Sequence, residues 1–345
     1  MAARLILTRS QILAHRRHAT ALDARLPHSP DAVRRAAWAG LQDSMPRAAL
    51  LSIHARVAGT TPAGWEDPSL VQIWGPRFSV YVVARCDLAV FTLGRLPLDA
   101  GPRHRAQAMA ARLQTALAGA RMPFGEAARV MGERDANRLR YAAATGTVVL
   151  RWDGARQPEV WSVPAPDIDP REAHLELARR YLHAAGPATP EAFAAWAGVP
   201  AARGSAAFAA LGGSLVPVRT PHGDAWILAG DAPSFDAPPA PPAPVRLVPS
   251  GDIWFLLHGA DRELLVPDAR QRRALWPSRV WPGALLVDGE TAGTWRRAGH
   301  VLTILPWRRL DARQRAAIEA EAWTLPLPGI SHPLEVRWRD DDCAE

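Results

Sequence analysis

Gln42, Asp43 and Ser44 stand in a row shortly before Pro46, combining an amide, a carboxylate and a hydroxyl. An amide carbonyl can orient a water molecule. A carboxylate can in addition take a proton from it and offset positive charge developing on a substrate. The same residue types also cap helices, so Asp43 or Ser44 would equally suit the start of a helix near Pro46. Neighbours on a helix point about 100° apart, so Gln42 and Asp43 converge on one site only where the chain has left helical geometry. A following proline favours such an exit. His15 and His18 flank Arg16 and Arg17 at a spacing that shares one helix face. With no third ligand beside them, they point to phosphate or solvent contact rather than to a metal.

What the chain lacks is equally informative. All 41 basic residues are arginine. Without lysine there is no Schiff-base aldolase, pyridoxal enzyme, Walker-type phosphate loop or lysine-dependent lyase. No GxSxG, GxGxxG or HExxH string occurs, and Cys86 and Cys343 fit neither a disulfide framework nor a CxxC zinc site. No cofactor or metal is expected. No apolar run is long enough to span a membrane, and the apolar stretch before Arg9 is too short for a secretory signal, so a cytoplasmic location is expected. The net charge of +7 is unevenly distributed. Arginine concentrates in residues 1–60, 101–140 and 258–315, whereas 166–236 and the tail from 316 are net acidic. Segregated arginine suits either a phosphate-tracking surface or solvated helix faces.

The elements that must position these residues follow from caps and turns. Asp99 opens a helix through PRHRAQAMAARLQTALAG, PFGEAARVMG and RDANRLRYAAATG give two more, and TVVLRW and PEVWSVP form a hairpin around Asp153-Gly154-Ala155. The same order recurs from Asp169-Pro170 and Thr189-Pro190 to the strands SLVPVR and AWILA. Residues 1–99 carry a less regular copy, in which a helix through AVRRAAWAGLQ follows Ser29-Pro30-Asp31 and residues 76–84 form a strand. Three helices followed by a β-hairpin is the order of a winged helix-turn-helix. The expected fold is mainly α with β, built of winged helices at 1–99, 100–166 and 167–230. A proline-rich extended linker at 231–244 follows. A β-rich, barrel-like or curled module at 245–339 contains VRLVP, DIWFLL, GALLVDG, ETAGTWRR and HVLTILPW, and an acidic tail covers 340–345.

This organisation, together with GLQDSMPRAALLSIHARV, LVQIWGPR, HAAGPAT, ADRELLVPD and LLVDGETAGTWR, resembles the tandem winged-helix AlkZ/YcaQ family of bacterial DNA glycosylases over almost the whole chain. The family's Gln-x-Gln or Gln-x-Asp motif reads here Gln42-Asp43-Ser44, with only the first Gln retained. Its Arg-Gly-Thr-x-His signature reads Arg77-Phe78-Ser79-Val80-Tyr81, with only Arg77 retained. The resemblance implies a monomer acting on double-stranded DNA, with Gln42, Asp43 and Ser44 as candidate catalytic residues. It also implies that Arg16, Arg17, Arg47, Arg77, Arg138 and Arg140 contact the backbone, in a concave surface around the duplex. Trp38, at helical spacing from Gln42, is either core or a wall of a lesion pocket. Two functions follow: a monofunctional glycosylase for alkylated, bulky or crosslinked bases, or a noncatalytic DNA-binding protein, a lesion sensor or regulator that has lost the second motif residue.

Overall fold

Ser29, Asp169 and Thr189 each precede a proline, and each caps a helix. Their side chains accept the backbone N–H groups of Ala32, of Arg171 and Glu172, and of Ala192. The prolines take the first helical position, where a missing N–H costs nothing. The helices are Pro30–Ala36, Pro170–Ala185 and Pro190–Ala197. Thr8 and Gln11 form a reciprocal capping box on Arg9–Ala19, and Asp311 and Gln314 do the same on Ala312–Trp323. The computed structural model describes residues 5–45, 47–154, 156–330 and 334–339. Pro46, Ala155, Cys343 and the acidic tail lie outside them.

Helix exceeds strand, as expected, but several features of the expected organisation differ. First, strands from residues 1–99 and 100–166 belong to one six-stranded sheet. Its order runs Leu41–Gln42, Val80–Ala84, Leu70–Trp74, Val148–Arg151, Glu159–Ser162, Met122–Pro123. The two halves meet at a single ladder pair, Gln72 with Leu150. The Gln72 side chain extends the junction, its Oε1 accepting from Trp152 N at 2.7 Å and its Nε2 donating to Trp152 O at 3.2 Å. Second, residues 136–145 are a 3-10 helix rather than an α-helix. Third, the segment read as an extended linker contains the short helix Ala232–Asp236. Its Phe235 is buried and stacks on His15, with ring centroids 4.2 Å apart, so burial of one aromatic ring outweighs the local proline content.

Pro170–Ala185, Pro190–Ala197 and Ala201–Leu211 precede the hairpin Leu215–Thr220 and Gly223–Leu228, to which Leu5–Ile6 adds in parallel. A large core centred on Tyr181, Phe193 and Trp196 continues into Trp254 and Phe255 of the C-terminal region. That region holds a five-stranded sheet, Val245–Val248, Gly283–Val287, Glu290–Ala298, Val301–Pro306 and Glu335–Trp338, whose last pair is parallel. The sheet is open and does not close into a barrel. Asp252–Leu257, expected as a strand, is a series of turns. Buried Asp252 causes this, because its carboxylate takes the backbone N–H of Trp254 at 2.9 Å instead of leaving it to a ladder.

The same carboxylate joins this region to the helix Ala48–Arg56. Arg56 donates to both Asp252 oxygens at 2.7 Å, and Ser52 Oγ donates at 2.6 Å. Both charged side chains are buried. A buried ion pair contributes little net stability, but removing one partner strands the other. Arg56→Met should therefore destabilise the fold by about 3–5 kcal/mol in urea denaturation; a loss below about 1 kcal/mol, the range of exposed pairs, would show that water reaches Asp252.

Candidate active site

The helix that was expected to reach Gln42 ends at Ala36. The chain turns at Gly40, where φ is +71° and a Cβ would lie 2.8 Å from the Phe91 ring, so conformation and packing both require glycine. Leu41–Gln42 then forms a short strand, with Leu41 paired to Val82 and Gln42 to Tyr81. Successive side chains of extended backbone point to opposite faces. Gln42 and Ser44 therefore share the outer side, where Gln42 Nε2 donates to Ser44 Oγ at 2.9 Å. Asp43 points inward and is fully buried.

Asp43 has a structural task there. Its Oδ1 accepts Ala49 N–H at 3.0 Å, covering an otherwise unpaired donor at the start of Ala48–Arg56, whose N-cap Arg47 offers no side-chain bond. Its Oδ2 accepts from Gln72 Nε2 at 2.9 Å, tying it to the sheet junction. Burial pushes the carboxyl up to about 7, against the opposing pull of these two hydrogen bonds and of Arg47 and Arg151. The expected convergence of Gln42 and Asp43 does not occur, because the chain leaves the helix as a strand.

Gln42 is clamped instead. Its Oε1 accepts from Arg77 Nη2 at 3.1 Å and from the Tyr81 hydroxyl at 3.4 Å, and Arg77 Nη1 donates to Trp196 O at 2.7 Å. The Tyr81 ring is fully buried, which raises its phenol above the ordinary value and keeps it a proton donor. Gly198 makes room for this arginine, since a Cβ there would lie 2.9 Å from Arg77 N. From the opposite side Gly251, at φ +84°, backs onto Gln42, where an added Cβ would lie 3.2 Å from Gln42 Cβ. Gly251 sits beside Asp252, so the Arg56–Asp252 pair holds the backing in place. His258 follows in the same region and is neutral, its pKa pushed down to about 4 by burial and by Arg77 and Arg262. Gln42 is thus framed by a guanidinium, a neutral phenol and a hydroxyl, with the motif's own carboxylate on the other face.

Of the arginines expected at phosphates, Arg16 and Arg17 are interior. Arg16 is 2% exposed and donates to Gly186 O, Pro187 O and Asp261, while Arg17 pairs with Asp23 and donates to Gly289 O. Helix Arg9–Ala19 is covered on the side that carries them, so neither reaches a duplex. Arg47 and Arg151 flank the Trp65 ring at 4.1 and 4.7 Å. Arg77 and Arg138 are exposed, Arg138 beside Glu133 at 3.0 Å, and Arg140 lies half-buried 5.9 Å from the Phe124 ring. The half-buried Trp38 lies under Arg180 at 4.0 Å, with Arg34 at 5.8 Å, and both arginines pair with Asp87. His15 is buried against Ser234 and Phe235 while His18 is exposed, and no cluster of metal-ligating side chains occurs among the described residues. Among the same residues no helix is long and apolar enough to cross a membrane.

Residues 33–325, which contain the whole Gln42 frame, match the AlkZ-like family, described as DNA glycosylase AlkZ-like. The chain belongs to the AlkZ-like DNA glycosylase family. Among solved structures, Streptomyces sahachiroi DNA glycosylase AlkZ is similar with a TM-score of 0.77 and 18% identity, covering 97% of this chain and 100% of that one. That likeness shows a shared fold. No protein of curated function matches the sequence. Tyr81 and Gly251 complete the frame of this AlkZ-like protein without having been singled out as site residues. Tyr81 had a signal, since it stands where the Arg-Gly-Thr-x-His signature has its histidine. Gly251 is brought in from more than two hundred residues away by tertiary packing.

A carboxyl whose pKa rises on folding contributes stability below its unfolded value of about 4, and loses that contribution as pH climbs through the folded value. For Asp43 the folded value is about 7. The stability of the wild type relative to Asp43→Asn should therefore fall between about pH 4 and pH 8. Chemical denaturation followed by tryptophan fluorescence measures this difference, and a constant difference across the range would contradict the raised carboxyl.

Proposed function

We propose that this chain is a monofunctional DNA glycosylase that hydrolyses the N-glycosidic bond of alkylated bases, bulky and crosslinked ones included, in double-stranded DNA. The observation that carries this reading is the clamped Gln42–Ser44 pair, held by Arg77 and Tyr81, in a member of the AlkZ-like family. Alkylation at N7 or N3 makes a purine a cationic leaving group, so little acid catalysis is needed. Water oxygen bonds to C1′ as the C1′–N bond breaks. The electron pair neutralises the departing base, and the water's proton passes to solvent. The enzyme's part is to place that water and to hold the nucleotide. Ser44 Oγ, which accepts from Gln42, keeps its own O–H and a further lone pair for the water, and the Gln42 amide keeps a second N–H. Asp43 plays no direct part. Arg47, Arg77, Arg138 and Arg140 serve the phosphate backbone. The helix-then-hairpin segments 1–99, 100–166 and 167–230 act as winged-helix repeats, followed by the connection 231–244 and the C-terminal module 245–339. The protein works as a cytoplasmic monomer without a cofactor.

The second reading is a noncatalytic lesion sensor. The burial of Asp43 favours it, because the exposed motif then has no carboxylate of its own.

Base release from a duplex with one N7-alkylguanine, scored as strand breaks after alkali, separates the two. Gln42→Ala should slow release about 100-fold, the scale of a misplaced reactant, Ser44→Ala should slow it less, and Asp43→Asn should leave the rate per folded molecule within a few-fold. Salt-sensitive binding with no release would establish the sensor. Because the chain has no lysine, the product should be an intact abasic site. Borohydride should trap no covalent adduct once the N-terminal amine is blocked; a trapped adduct would refute the monofunctional assignment.

A further inference from the structure

Phe78 and Tyr141 form an exposed aromatic pair beside the Gln42 clamp. They are 37% and 53% exposed, with ring centroids 5.5 Å apart and planes at 89°. Phe78 directly follows Arg77, the residue whose guanidinium holds Gln42. Both adopt left-handed backbone, with φ of 55° for Arg77 and 57° for Phe78. Two successive non-glycine residues there are costly, most of all for a bulky side chain. Glycine would take this conformation freely. This chain puts a ring there instead.

The turn is held by Gly75 N–H on Ser79 O, Phe78 N–H on Gly75 O and Ser79 N–H on Pro76 O. Core packing does not account for the ring, since more than a third of the residue faces solvent. Arg95 Cζ lies 6.0 Å from the Phe78 ring, and Tyr141 shares the 3-10 helix Ala136–Thr145 with Arg138 and Arg140. An exposed aromatic pair whose own segments carry the exposed arginines Arg77 and Arg138 suits the π-face of a nucleobase flanked by phosphates.

We propose that Phe78, braced edge-on by Tyr141, inserts against the base next to the lesion and holds the damaged nucleotide at Gln42. Phe78 is then a positioning residue. The proposal rests on the glycosylase reading and adds the contact that registers the duplex on the site.

The test uses the N7-alkylguanine duplex with 2-aminopurine beside the lesion, whose fluorescence rises when base stacking is broken. The full-length wild type should raise it. Phe78→Gly removes the ring and relieves the backbone, so its melting temperature should equal or exceed that of the wild type. The fluorescence rise should vanish, and duplex affinity should fall roughly 5- to 100-fold, the range for losing one base–aromatic stack. Phe78→Trp should restore the rise, and Tyr141→Ala should reduce it. A full rise with Phe78→Gly, while the wild type releases base, overturns this proposal alone. A wild type that neither binds the duplex nor releases base overturns the glycosylase reading and this proposal with it. A wild-type dimer lost in Phe78→Gly, with the rise intact, assigns the pair to self-association and overturns the proposal.

Discussion

The buried Arg56–Asp252 pair is the constraint on which the site depends. Two charges taken out of water are tolerable only when their hydrogen-bonding capacity is filled. Asp252 meets that condition with four donors, two from Arg56 and one each from Ser52 and the Trp254 backbone. Helix Ala48–Arg56 is thereby locked to the turn that presents Gly251. At its other end the same helix receives Asp43, and through Asp43 it is joined to Gln72 and the sheet junction. Gln42 lies between these two attachments. Its position is set by buried polar contacts of the elements on either side as well as by the pairing of its short strand with Val80–Ala84.

The alternation of a two-residue strand separates two neighbouring polar residues into different tasks. Asp43 becomes an interior acceptor for a helix start, and Gln42 with Ser44 forms the outer face. Under the glycosylase reading, this leaves a site suited to substrates that already carry positive charge on the leaving base, since no motif carboxylate is available to offset charge on the sugar. The buried phenol of Tyr81 adds a hydrogen-bonding group without adding charge beside Arg77.

In a chain that has no lysine, arginine braces the interior. Arg16, Arg17, Arg56, Arg95 and Arg180 are interior, donating to carboxylates or to backbone carbonyls of distant segments. A planar guanidinium with five donors suits this cross-linking, because one side chain can satisfy several acceptors at once. Local charge counts therefore overstate the surface free to meet phosphate, and the clustering of arginine in residues 1–60 reflects internal bracing at Arg16, Arg17 and Arg56.

Much of the architecture was legible from local chemistry. Caps before proline at Ser29, Asp169 and Thr189 mark helix starts, turn residues mark the hairpins, and the strings around Gln42 and Arg77 carry the family resemblance. These features survive because each depends on hydrogen bonds or dihedral preferences within a few residues. The sheet shared by residues 1–99 and 100–166, the turns at Asp252–Leu257 and the interior placement of Arg16 were not legible. Each is decided by partners far away in sequence: Leu150 for Gln72, Arg56 for Asp252, Asp261 for Arg16. By itself the sequence determined which residues could do chemistry at the motif. Only the tertiary structure decided that Gln42 and Ser44 face outward while Asp43 is buried, because register against Val80–Ala84 sets which side of an extended chain meets the core.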